Sequence, residues 1–149
     1  MVPGLMILGI YLVAAVGPAL GLLLYVYNQD RVEHESVGMI GKLLLGGVLA
    51  GLCSIVLEGI GERILPGVID PSSPSYTIVL AFLVVAVVEE GAKFFFLKRR
   101  TWESPEFNYR FDGVVYAVAV SLGFAAFENL EYVFGYGLSI APARALLTI

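Results

Sequence analysis

The chain is poor in charge. Only 15% of its 149 residues are Asp, Glu, Lys or Arg, against about a quarter in soluble globular domains. Hydrophobic residues make up 58% and the mean hydropathy is +0.86, which excludes an ordinary soluble domain and predicts an integral membrane protein. Its single cysteine, Cys53, excludes an intramolecular disulfide. Lying in an apolar run, Cys53 reads as a small buried hydrophobe. There is one histidine, His34, and no His-Glu-x-x-His pattern, so a zinc site is poorly supported; the reading requires no metal and no cofactor. With a net charge of −4 and a pI near 4.9, the chain has no basic face for a nucleic-acid partner. The partner implied by composition is the lipid bilayer.

What is present is long apolar runs. A transmembrane helix needs about 20 mostly apolar residues, and four stretches qualify: 5–27, 39–60, 76–97 and 113–136. A fifth begins near 138 and stops at Ile149, so the sequence reads as part of a longer protein. The expected fold is all-α: one polytopic transmembrane bundle, 1–149, with four complete spans and the start of a fifth. The first run is too long for a signal-peptide core and has no preceding Lys or Arg, so it is expected to be retained. Lys42 and Glu58, near the ends of the second span, are expected to snorkel to the headgroups. Asp112 is placed as the N-cap of the fourth.

Lys98, Arg99, Arg100 and Arg110 fall in one connection, 98–112. The positive-inside rule makes that loop cytoplasmic and leaves the N-terminus outside. The connection at 61–75, with Pro66, Pro71 and Pro74, is expected to be extended and on the outer side. Gly17 with Gly21, and Gly47 with Gly51, give two GxxxG patterns for close helix approach. Pro18 is expected to kink or loosen the first helix.

Two groups of polar residues interrupt the spans. Glu89, Glu90 and Lys93 lie within the third. A charge at the bilayer centre costs about 2.5–3.5 kcal/mol, so such residues normally face a protein interior or a wet cavity. Lys93 follows Glu89 by four residues and Glu90 by three, within reach of either carboxylate. In the fourth span, Glu128 shares a helical face with Ser121, Ala125 and Tyr132, while Phe127 and Leu130 are expected to point elsewhere. Asn129 can donate and accept at once, and Glu131 reads as an interface residue.

These residues carry a resemblance. Val87-Val88-Glu89-Glu90-Gly91-Ala92-Lys93, then Asp112-Gly113 with Tyr116, then Gly123-Phe124-Ala125-Ala126-Phe127-Glu128-Asn129 with Tyr132, are similar to the PrsW family of intramembrane proteases, which is related to the CAAX prenyl proteases and to the APH-1 subunit of gamma-secretase. The resemblance covers roughly residues 76–145. It matches the family's Glu-Glu-x-x-Lys helix at Glu89, Glu90 and Lys93, and its Phe-x-x-x-Glu helix at Phe124 and Glu128. The family's third mark, a later histidine, is not matched: His34 precedes the acids, and the family's residue is expected after Arg144, past Ile149. The resemblance implies hydrolysis of a peptide bond in a single-pass membrane protein, with anti-sigma factors as the best-known bacterial substrates, in a prokaryotic cell membrane. It also implies that this chain alone is a truncated and inactive or impaired form.

The chemistry can be stated from the residues themselves. Attack of water on an amide needs a base, donors for the developing oxyanion and an acid for the leaving amine. Neighbouring carboxylates out of water do not both ionise freely, and Lys93 favours one as the anion. Glu89 and Glu90 are expected to supply the base and an orienting group, in either order. Glu128 binds the water or protonates the amine, and Asn129 is the oxyanion candidate. Lys93, Phe124 and Tyr132 support them. Two other classes remain open: a scaffold of the APH-1 kind, and a proton or cation path through the bundle.

Overall fold

The structure, a computed structural model, describes residues 2–29, 35–141 and 143–144. It is helical in the main, and among the described residues there is no strand. The helices are α1 (Val2–Gln29), α2 (Val37–Ile64), α3 (Pro74–Val79), α4 (Val87–Thr101) and α5 (Asp112–Tyr136). Short 3-10 turns follow α2 at Leu65–Gly67 and α5 at Leu138–Ile140. Three helices are long and apolar enough to cross a membrane: Gly9–Gln29, Val37–Gly67 and Asp112–Tyr136. The first runs unbroken through Pro18.

The expected third span departs from regular helix. Residues 74–101 are helical throughout, but α3 and α4 are joined by π-helix over Leu80–Ala86. Such turns are rare and disturb the 3.6-residue phase, so neither flanking helix alone reaches spanning length. Val84 of this stretch presses on Gly61, where a Cβ would lie 2.5 Å from it. Four complete spans are therefore not seen as four long regular helices. Of the fifth, the described part is the 3-10 turn with Ala141, Ala143 and Arg144 helical beyond it.

α5 is the centre. It packs chiefly against α2 and α1, while α4 packs mainly on α2 and touches α5 less. The core lies between α1, α2 and α5, around Leu43, Val115, Tyr116, Ala119 and Val120. Large apolar side chains such as Val13, Leu24, Val56 and Phe95 stay exposed on the outer faces, as expected for a bundle whose solvent is lipid. Cys53 is also exposed, because it sits on the lipid-side stripe of α2 and not in the core where the sequence reading put it.

Glycine sets the α2–α5 approach. A Cβ at Gly47 would run into the Val120 carbonyl oxygen, and one at Gly123 into the Leu44 carbonyl oxygen. The Gly47–Gly51 pattern is thus an intramolecular seam. The Gly17–Gly21 pattern is not: a Cβ at Gly21 would meet nothing within 4 Å, and one at Gly17 only Val13 of its own helix, at 3.8 Å.

At the end of the bundle holding the 102–111 connection, polar groups fasten the loops. Ser36 caps α2, accepting from the Met39 amide at 3.1 Å, and donates to the Glu106 carboxylate at 2.6 Å. Tyr116 bonds the buried Glu35 carboxylate, and the Tyr27 hydroxyl donates to the Glu35 carbonyl at 2.9 Å. Asp112 is not the N-cap. It is the first residue of α5, buried, and accepts the amides of Asn108 at 2.9 Å and Tyr109 at 2.7 Å. Its carboxylate turns back to close the preceding loop. Trp102 and Tyr109 of this connection are exposed. The other connection departs from its expected form, since α2 continues to Ile64 before the 3-10 turn and Pro74 opens α3. There Asp70 lies outside the membrane-spanning segments, and bonds from the Ser72 amide and hydroxyl hold its carboxyl below the usual range.

Candidate active site

Beyond the Gly47–Gly123 seam, α2 and α5 part and α4 closes only one side. The gap is an open cavity of about 600 Å³, lined by the acids Glu58 and Glu62 of α2, Glu89 of α4, and Glu128 and Glu131 of α5. Phe124, Phe127, Tyr132 and Tyr136 supply its aromatic wall. On α2 the lining residues recur as Gly51, Ser54, Ile55, Glu58, Gly59 and Glu62, the three-and-four spacing of one helical face. A Cβ at Gly51 would lie 2.5 Å from the Phe127 ring, so that glycine makes room for the wall.

The structure brings Glu89 and Glu128 together on this cavity and leaves Glu90 out. Glu89 and Glu128 keep side-chain exposures of 25% and 27%, whereas Glu90 is 74% exposed. Adjacent residues on a regular helix differ by about 100° in direction, and α4 is regular here, so both acids cannot face one cavity. Lys93 lies between them as its spacing requires, with Nζ 2.6 Å from Glu90 Oε1 and 3.8 Å from Glu89 Oε2. The same ammonium stands 4.3 Å above the Phe124 ring. Phe124 therefore acts as the seat of Lys93 and ties α4 to α5 by a cation–π contact.

Glu128 is fixed from the other side. Arg144 Nη2 lies 2.7 Å from Glu128 Oε2, its Nε donates to Asn129 Oδ1 at 3.2 Å, and its guanidinium sits 4.1 Å over the Tyr132 ring. A planar guanidinium suits both tasks. Tyr132 in turn stacks on Tyr136 at 5.7 Å.

Asn129 is not on the cavity wall. It is 1% exposed and donates through Nδ2 to the Ala15 carbonyl at 3.2 Å. It fastens α5 to α1, a place that does not suit an oxyanion donor for the cavity. Phe127 lines the cavity instead of pointing away, and Ser121 is exposed. Glu58 is not at a helix end: α2 runs to Ile64, which sets Glu58 inside the helix and on its cavity face. Glu131 is likewise a cavity residue. The signal for Glu58 was its four-residue spacing from Ser54 and Glu62; Arg144 gave no comparable signal. His34 lies outside the described residues.

As a metal centre the described residues are incomplete. They supply carboxylates, three of them already paired with cations, and among them no group of three His, Cys, Asp or Glu side chains could hold a metal ion.

A family model described as PrsW family intramembrane metalloprotease matches residues 35–148. The protease PrsW of Geobacillus kaustophilus is 35% identical over 136 residues, covering 91% of this chain and 57% of that protein. The Bacillus subtilis protease PrsW is 31% identical, with 91% and 59% covered, and that of Halalkalibacterium halodurans 30%, with 93% and 61%. The chain thus spans about three fifths of the length of the curated relatives it matches. No solved structure matches it. The matched segment contains both acid-bearing motifs and the whole cavity, and the chain belongs to the PrsW family of intramembrane proteases.

Proposed function

We propose that this chain forms the acid-bearing part of an intramembrane peptidase that hydrolyses a peptide bond of a single-pass membrane protein, of the anti-sigma-factor kind. The observation that carries the reading is the meeting of Glu89 and Glu128, from different helices, on one open cavity. Water in that cavity attacks the amide carbonyl. Glu89, with Lys93 beside it, takes the proton and hands it on to the leaving amine as the C–N bond breaks, and Glu128, ion-paired with Arg144, binds and orients the attacking water. Each step needs direct or single-water reach between the acid and the reacting atom. Lys93 and Arg144 are positioning residues. Glu90, turned outward, anchors Lys93.

The family description names a metal. The described residues do not assemble a site for one.

In the membrane, residues 74–101 serve as the third of four crossings, with the π-helical stretch inside the bilayer. The 102–111 loop is cytoplasmic and the N-terminus outside. If so, a thiol reagent applied outside intact cells leaves Trp102→Cys unlabelled; labelling overturns this topology.

The enzymatic reading is tested on the complete gene product, reconstituted with a single-pass substrate. Glu89→Gln and Glu128→Gln should each leave the protein in the membrane and lower turnover by about 100-fold or more, the scale of losing a general acid or base. Undiminished cleavage by both variants overturns the roles given to Glu89 and Glu128, and no cleavage by the unaltered protein favours the APH-1-like scaffold.

A further inference from the structure

Three acids of the cavity have no part in that scheme: Glu58 and Glu62 on α2, and Glu131 on α5. Among the described residues none of them has an ion-pair partner. Glu58 Oε1 is buried without a hydrogen bond. One helical turn away Ser54, 3% exposed, lines the same cavity with its hydroxyl also unpartnered. Buried polar atoms are nearly always satisfied, and a carboxylate out of water is costly unless paired. Two such atoms on one face of a cavity mark groups that a ligand completes.

The nearby cations are already engaged. Lys93 serves Glu89, Glu90 and the Phe124 ring, and Arg144 serves Glu128, Asn129 and the Tyr132 ring. The cavity therefore keeps an excess of negative charge beside aromatic walls, Phe127 and Tyr136 among them. That combination suits a long aliphatic stem ending in a cation.

We propose that the cavity binds a basic side chain, Lys or Arg, of the substrate segment. Glu58 is its counter-ion, the Ser54 hydroxyl hydrogen-bonds the substrate backbone beside it, and the exposed Glu62 and Glu131 draw the cation to the mouth. This rests on the cavity being the substrate site, and it assigns Glu58 as a specificity-determining residue.

The test reads binding alone. Liposomes carrying the complete gene product are titrated with labelled leucine–alanine transmembrane peptides bearing Lys, norleucine or Glu at one central position. The Lys peptide should bind about tenfold or more tighter than the norleucine peptide, the scale of one charge-assisted hydrogen bond, and the Glu peptide weakest. Glu58→Gln should remove most of that preference, Glu58→Asp should keep it, and Ser54→Ala should weaken all three peptides alike. Equal binding of Lys and norleucine peptides to the unaltered protein overturns the proposal, as does a Lys preference that survives Glu58→Gln. So does binding that ignores the guest residue and is abolished by EDTA, which would put a free divalent cation in the cavity. A peptide that binds through its lysine and is never cut counts against the peptidase reading alone. Cleavage without any guest preference counts against this one alone.

Discussion

The same two helices, α2 and α5, meet in opposite ways along their length. Around Gly47 and Gly123 their backbones touch so closely that neither position has room for a Cβ. Past Gly51 they diverge, and the polar residues of both helices face the opening. Lipid offers no hydrophobic drive for helices to associate, so contact must come from close packing of small residues and from polar bonds. The seam supplies the first. It lets the other half of the interface stay open and acidic, where packing would otherwise fill the space. Close packing and the acidic cavity are thus divided between two stretches of one helix pair.

Substitutions can break that division. Gly47→Ala and Gly123→Ala put a methyl against a carbonyl oxygen of the facing backbone, which no rotamer change relieves. Each should cost about 1–3 kcal/mol or more, measured by unfolding in mixed micelles, with activity lost in proportion to folded protein. A smaller effect is expected at the cavity's edge. Because Glu90 faces outward, Glu90→Gln should lower turnover less than about tenfold, well short of the loss of a general base; an equal loss for Glu89→Gln and Glu90→Gln would place both acids in the reaction. The smallest effect is at the unused glycine pattern, where Gly21→Ala should change stability by less than about 0.5 kcal/mol in the same unfolding assay. A large cost there would show that α1 has a partner at Gly21.

Much of this could be read in the chain, for identifiable reasons. Apolar length gave α1, α2 and α5, and spacing by three and four placed Lys93 between Glu89 and Glu90. Helical phase also separates Glu89 from Glu90, and it was the adjacency of the two acids that made them look like one site. Less was legible where the backbone leaves the 3.6-residue period, as at Leu80–Ala86. Asn129 and Asp112 were misplaced because a polar residue in a membrane helix can serve a neighbouring backbone as well as a cavity. Asn129 bonds Ala15, 114 residues away, and no local pattern encodes such a partner. Glu58 reads as a helix end because the apolar run stops near Ile60, while the helix itself continues to Ile64.

The central claim is that Glu89 and Glu128 act on the same reacting atoms in one cavity, and a double-mutant cycle addresses it directly. Turnover of a reconstituted substrate is compared for the unaltered protein, Glu89→Gln, Glu128→Gln and the double variant, with membrane insertion checked for each. Groups that work as a unit are strongly non-additive, so the double variant should be about as slow as the slower single one. Losses that multiply in full, or a Glu128→Gln variant that cleaves at the unaltered rate, would contradict the shared site.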